Sequence, residues 1–128
     1  MISVVDNPMT SKRILVVDDD VAIASLYATA FRAAGHEVSI ANRFEEARMH
    51  LRGNIPDGLL TDIRLGEYNG LQLAMLYRSL SPTGIIVIVS GHPDPVIERE
   101  AAALGAEFFT KPIDLEVLRK RFSAGPAA

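Results

Sequence analysis

The sequence predicts an α/β protein with a doubly wound parallel sheet, and three observations carry that prediction. Five short aliphatic runs alternate with five stretches of helical period. The central runs are apolar on successive residues, as in strands buried on both faces. Two runs stop abruptly in carboxylates: Ile14-Leu15-Val16-Val17 runs into Asp18-Asp19-Asp20, and Leu59-Leu60-Thr61 into Asp62.

Residues 13–17 form the first expected strand. A helix follows over residues 21–34, with Ile23, Leu26, Tyr27, Ala30 and Phe31 as its buried face. Gly35 stands where a left-handed helix terminus belongs. Residues 37–41 read as the second strand. Asn42 and Glu45 then form a cap and third-position acid pair, opening a helix to about Leu51. Asn54, Pro56 and Gly58 break the chain before the third strand. Residues 70–80 read as the third helix, and Ser81-Pro82-Thr83-Gly84 turns into a fourth strand over residues 85–89. The fourth helix spans residues 95–104 and is ended by Gly105; the fifth strand spans residues 107–110. Asp114 caps a last helix to about Phe122, with Arg119, Lys120 and Arg121 in its final turn, where cations suit the helix dipole and solvent.

The chain thus divides into a loose arm (1–11), one globular unit (12–122) and a small-residue tail or linker start (123–128). Right-handed crossovers make 2-1-3-4-5 the natural strand order, a flavodoxin-like (βα)5 arrangement with helices on both faces. In that order the first and third strands are neighbours, so Asp18, Asp19 and Asp62 converge at the carboxyl edge of the sheet.

Composition narrows the function. With 128 residues, 48% hydrophobic and 23% charged, the chain is an ordinary single globular domain. A net charge of −3 argues against direct nucleic-acid binding. Cysteine is absent, which excludes disulfides, zinc-thiolate sites and thiol nucleophiles. Neither a signal peptide nor a membrane-length apolar run is visible, so the expected location is the cytoplasm, away from membranes.

The acidic edge points to chemistry. Two carboxylates ~4 Å apart repel by ~4 kcal/mol at an effective dielectric near 20. A hard divalent cation offsets that repulsion, and an oxygen-rich, wet pocket suits magnesium. Ser90 closes the fourth strand and Lys111 the fifth, bringing a hydroxyl and an ammonium to the same edge. Carboxylate nucleophile, cation site, hydroxyl and lysine together suit phosphoryl transfer.

Val16-Val17-Asp18-Asp19-Asp20, Thr61-Asp62, Ser90-Gly91 and Lys111-Pro112 resemble the receiver domain of bacterial two-component response regulators. The resemblance covers residues 12–122. It implies that Asp62 accepts a phosphoryl group from a histidine kinase or phosphotransfer protein. It implies magnesium ligation by Asp19, Asp62 and the backbone carbonyl of Arg64, with Asp18 acting through water and Asp20 assisting the helix start. Ser90 would be the switch hydroxyl, Phe108 the switch aromatic, and Lys111 the partner of the phosphoryl group. Lys111-Pro112 is a peptide that receivers commonly hold cis, and Arg64 and His92 would border the path of attacking water. Such a domain is a phosphoacceptor switch, not an enzyme beyond self-phosphorylation and autodephosphorylation. Its output would pass to an unidentified downstream protein, or to a second copy in a homodimer, through the face of helix 4, strand 5 and helix 5. Gly66 departs from the family, which often has proline there; a more flexible loop is the expectation.

The competing function is a haloacid-dehalogenase-type magnesium phosphohydrolase with Asp18 as nucleophile, although Ala22 stands where that motif wants Thr or Val. A flavodoxin-type cofactor binder would need a phosphate loop where this chain has aspartates. The sequence reads as a stand-alone receiver, with a receiver cut from a larger regulator as the alternative. His36 is expected in a loop, His50 facing solvent, and Phe31, Phe44, Leu73, Leu76 and Leu118 in the core.

Overall fold

A computed structural model describes residues 11–123, so all but the last residue of the expected arm and most of the tail lie outside the described residues. Its elements in chain order are β1 (Arg13–Val17), α1 (Val21–Ala33), β2 (Glu37–Ala41), α2 (Phe44–Gly53), β3 (Gly58–Asp62), β4 (Arg64–Leu65), β5 (Tyr68–Asn69), α3 (Gly70–Leu80), β6 (Ile85–Ser90), α4 (Pro95–Ala103), β7 (Glu107–Thr110) and α5 (Leu115–Ser123). Five strands form one parallel sheet in the order β2-β1-β3-β6-β7, which is the expected 2-1-3-4-5 with the small β4–β5 hairpin left out of the count.

Strand alternation divides the core in two. Leu15, Val17, Leu59, Ile86 and Ile88 face Ala47, Leu51, Leu73, Ala74, Tyr77 and Ala101 on α2, α3 and α4. Ile14, Val16, Leu60, Val87 and Val89 face Ala24, Tyr27, Phe31, Leu118 and Phe122 on α1 and α5. Both sheet faces are therefore covered, which explains why the central strands are apolar at every residue. Truncating Leu59 or Leu60, each buried, to alanine would cost about 2–5 kcal/mol.

Four local details differ from the sequence expectation or add to it. The buried stripe of α1 is Ala24, Tyr27, Ala28 and Phe31, while Leu26 is 53% exposed. The stripe follows one helical ridge, and Leu26 falls outside it. Second, α2 begins at Phe44 behind Arg43, which makes no side-chain cap bond. Asn42 instead sends its amide to the Asp18 carbonyl, and Glu46, not Glu45, accepts the Asn42 N–H. Third, His36 lies in the loop between α1 and β2 as expected, but it is buried there: its Nδ1 accepts from the Lys12 amide, and its ring meets Phe31 edge-on.

The fourth is the segment after Asp62, which forms the β4–β5 hairpin. Leu65 pairs with Tyr68 across a two-residue turn, and Gly66 takes φ +66°. Glu67 has no positive φ, so the turn is of type II′, whose first central position glycine fills without steric penalty. Proline, fixed near −65°, cannot adopt that conformation. Gly66 thus makes an ordered turn where a looser loop was expected. Gly35 and Gly105, with φ +95° and +74°, end α1 and α4 in the left-handed form the sequence called for.

Candidate functional site

Parallel register brings the acids together. Val17 is level with Thr61, so Asp18 and Asp62 leave adjacent strands at the same height. Val89 stands opposite Asp62 and Ser90 opposite Thr110, so Ser90 and Lys111 emerge just beyond. Carboxylate oxygens of Asp18, Asp19 and Asp62 lie within 4.8 Å of one another. Asp18 and Asp62 are buried and Asp19 is exposed, so the cluster opens to water on one side.

Lys111 spans the cluster. Its Nζ lies 3.0 Å from Asp62 Oδ2 and 3.2 Å from Asp18 Oδ2. Burial works against its charge, but the hydrogen bond to Asp62 and the charges of Asp18 and Asp62 outweigh it, holding the ammonium above the ordinary lysine value. Burial also pushes the Asp18 carboxyl up, while the Asp20 amide and Lys111 pull it down. That amide donates to Asp18 Oδ1 at 2.9 Å, so both Asp18 oxygens have protein partners. Asp20 turns away from the cluster and caps α1 by accepting from the Ala22 and Ile23 amides.

Beneath Asp62 the backbone is crowded. Thr61 Oγ1 donates to the Asp62 carbonyl, and Gly70, the first residue of α3, abuts that same oxygen. The Arg64 amide approaches Asp62 Oδ1 at 3.4 Å, with the Arg64 side chain exposed. Arg64 pairs with Asn69 between the turn-closing pair and the bond from Gly70 N–H to the Ile63 carbonyl (2.8 Å). Antiparallel pairing makes that middle position non-hydrogen-bonded. The Arg64 carbonyl is therefore left out of the hairpin ladder. The same geometry frees the Asn69 amide for a reciprocal capping box with Gln72 at the start of α3.

Ser90 is buried, and its hydroxyl folds back onto its own loop. Oγ donates to the His92 carbonyl and accepts from the His92 amide, 3.0 and 3.1 Å away. His92 itself is exposed. Phe108 is half-buried against the α2–α4 core, on a strand level with Ile88 of β6. The Lys111-Pro112 peptide is cis.

The sequence marks Asn42 as a helix cap and not as a residue of this site, yet its Nδ2 holds the Asp18 carbonyl at 2.9 Å. The signal lay in the register: Val17 pairs with Ala41, which sets residues 18 and 42 side by side. Nor did it show Gly70 as a contact of Asp62, because that approach depends on how α3 docks.

The oxygen-only donor set, open through Asp19, fits a hard divalent cation such as magnesium. Asp18 does not suit the nucleophile of a haloacid-dehalogenase-type site. It is 1% exposed with both oxygens already bonded to protein.

Comparison with known proteins agrees with this architecture. Residues 14–123 match the response regulator receiver domain family. The chain is 29% identical over 107 residues to the transcriptional regulatory protein ZraR of Escherichia coli, covering 83% of this chain and 24% of that protein. It thus spans about a quarter of the length of that curated relative. A CheY-like receiver domain protein from Methanospirillum hungatei superposes with TM-score 0.82 at 27% identity, covering 88% of this chain and 91% of that one. A response regulator from Burkholderia pseudomallei, solved with a phosphorylated aspartic acid, calcium ion and citrate, gives TM-score 0.80 at 25% identity over 87% and 66%. No helix among the described residues is long and apolar enough to cross a membrane. With the sheet order, the acid cluster and the family match in agreement, the chain belongs to the receiver domains of two-component response regulators.

Proposed function

We propose that this receiver is a phosphoacceptor switch in which Asp62 takes a phosphoryl group from a histidine kinase or a phosphotransfer protein. The observation that carries the reading is the placement of Lys111 between two buried carboxylates, with Asp19 completing an oxygen cluster open to water. Asp19, Asp62 and the Arg64 carbonyl would hold magnesium, with Asp18 acting through water. Bound there, the cation would neutralise charge on the transferring phosphoryl oxygens.

The chain's own groups do the rest. A carboxylate oxygen of Asp62 attacks phosphorus as the donor's phosphorus–nitrogen bond breaks, giving an acyl phosphate on Asp62 and a free imidazole on the donor. Lys111 moves its charge from the Asp62 carboxylate to the new phosphoryl oxygens. Ser90 gives up the His92 carbonyl, 3.0 Å away, to donate to the same group. Phe108, half-buried on β7 level with Ile88, is the aromatic that registers the change by its burial. Arg64, exposed on the β4–β5 hairpin, and His92, exposed after β6, set the acyl-phosphate lifetime by bordering the path of water. Hydrolysis by that water returns Asp62 and inorganic phosphate.

The output goes to a protein partner through α4, β7 and α5, where a second copy of the chain would also dock. The domain works in the cytoplasm and is a signalling element rather than an enzyme with a diffusible substrate. A second reading has its own support: ZraR is about four times the length matched here, which favours a receiver joined to an effector in a longer regulator. In that case the effector, and not these residues, would carry any contact with nucleic acid.

The test is phosphotransfer with magnesium from a panel of autophosphorylated histidine kinases, comparing wild type with Asp62→Asn. Label should appear on wild type alone, fastest from the cognate kinase. Equal label on Asp62→Asn would overturn the assignment.

A further inference from the structure

The turn between β2 and α2 touches both loops that carry the acids. On one side, Asn42 Nδ2 donates to the Asp18 carbonyl at 2.9 Å, and the Asp18 amide donates to the Ala41 carbonyl at 3.1 Å. On the other, the Phe44 ring stacks on Tyr68, with centroids 4.5 Å apart and planes 19° from parallel. Tyr68 belongs to the hairpin whose other strand carries Arg64, and the Arg64 amide faces Asp62 Oδ1.

Local physics does not ask for this arrangement. An asparagine just before a helix would ordinarily cap it. Here Arg43 occupies the cap position without a side-chain bond, and the Asn42 amide reaches across to another strand's loop. Tyr68 is 47% exposed, so the core does not need its ring either. A helix start left uncapped and an exposed ring held in a stack are departures of the kind found where position matters more than local stability.

We propose that Asn42 and the Phe44–Tyr68 stack are positioning residues that set the divalent-cation affinity of the Asp18–Asp19–Asp62 cluster. The inference rests on the reading of that cluster as a magnesium site. Three carboxylates whose oxygens lie within 4.8 Å repel, and the loops bearing them relax apart unless something holds them. The turn grips the Asp18–Asp20 loop through Asn42 and the Asp62–Asn69 segment through Tyr68. A cation then meets a preformed cradle and does not have to gather it, which strengthens binding without adding a ligand. Neither residue touches the acidic oxygens.

The test is calorimetric titration of magnesium chloride into the full chain at constant ionic strength. It compares wild type, Asn42→Ala, Tyr68→Ala, Tyr68→Phe and, as the site control, Asp19→Asn. Phe44 stays intact because it packs partly against the core. Asn42→Ala and Tyr68→Ala should each weaken binding about three- to tenfold, the range one hydrogen bond or one aromatic pair supplies. Tyr68→Phe, which keeps the ring, should restore wild-type affinity, and the unfolding midpoint without magnesium should shift little for either tyrosine variant. Affinities of Asn42→Ala and Tyr68→Ala within twofold of wild type, or a loss that Tyr68→Phe shares, overturn the positioning role. No binding by wild type, or binding indifferent to Asp19→Asn, overturns the magnesium reading instead.

Discussion

A β-carbon on Gly70 would stand 2.1 Å from the carbonyl oxygen of Asp62, and 3.0 Å from both its carbonyl carbon and Thr61 Oγ1. The first residue of α3 is thus seated directly under the residue proposed to accept the phosphoryl group. Glycine is required there for close approach, because the nearest obstructing atom is the backbone oxygen of Asp62, which has no side-chain freedom with which to yield.

Gly70→Ala should therefore harm both stability and labelling. On an exposed helix alanine would be favoured by about 1 kcal/mol, but overpacking of this kind costs about 1–3 kcal/mol. A β-carbon 2.1 Å from a backbone oxygen belongs at the upper end of that range, so the clash wins and a net loss of about 2 kcal/mol should appear in urea unfolding. Displacing Asp62 should also slow its labelling by acetyl phosphate about tenfold or more. Wild-type labelling in Gly70→Ala would refute the close-approach argument.

The neighbouring aspartates should separate cleanly. Asp20→Ala removes the α1 cap and should cost about 1 kcal/mol, while leaving magnesium-induced stabilisation in place. Asp19→Asn removes one of three crowded carboxylates and should raise the unfolding midpoint in metal-free buffer. It should also abolish the gain that wild type shows with magnesium, about 2.7 kcal/mol at a hundredfold excess over the dissociation constant. Thermal unfolding with and without magnesium checks both.

Arg78 should matter for stability and not for the site. Its guanidinium donates to the carbonyls of Leu104, Ser81, Pro82 and Gly84, tying the end of α3 to the end of α4 and the entry to β6. Arg78→Ala strands partly buried carbonyls and should cost about 2–4 kcal/mol, with Arg78→Lys recovering only part because one ammonium cannot reach them all. Denaturant unfolding measures the loss, and Asp62 labelling in the folded fraction should be unchanged.

His36 gives the stability a pH dependence of predictable sign. Burial, then the charges of Lys12 and Arg119, hold its folded pKa below the ordinary histidine value. Its Nδ1 accepts from the Lys12 amide, and its Nε2 lies 3.5 Å from Ser123 Oγ, so the folded state favours the neutral ring. Below about pH 6.5 the unfolded chain binds the proton first. The contribution is complete above that pH and is lost as pH falls toward the folded pKa. Wild type should lose stability more steeply than His36→Asn between about pH 6.5 and 5, measured by urea midpoints. Parallel profiles would show that His36 does not titrate in this range.

Most of the fold was legible because its signals are local. Apolar runs such as residues 85–89, the glycines at 35 and 105, and the aspartates at 20 and 114 each act within a few residues of where they stand. What escaped was what depends on a neighbour distant in sequence. Asn42 looked like a helix cap until β2 was seen beside β1, where Asp18 offered its carbonyl. His36 is the loop residue it looked like, but its burial, made by Phe31 and Ser123, was not legible. Leu26 fits a helical face by spacing, but only docking decides which ridge the sheet covers.

The sequence by itself determined the class of the protein. Strand and helix periods, the crossover rule and carboxylates at strand ends dictate a parallel sheet with its acids gathered at one edge. Tertiary structure decided the division of labour within that edge. Register set Asp18 and Asp62 level, so that one lysine could reach both. Chain direction at the end of β1 buried Asp18, left Asp19 exposed and turned Asp20 to its helix. Identical side chains in consecutive positions differ only in what surrounds them, and those surroundings come from strands and helices that the local sequence does not contain.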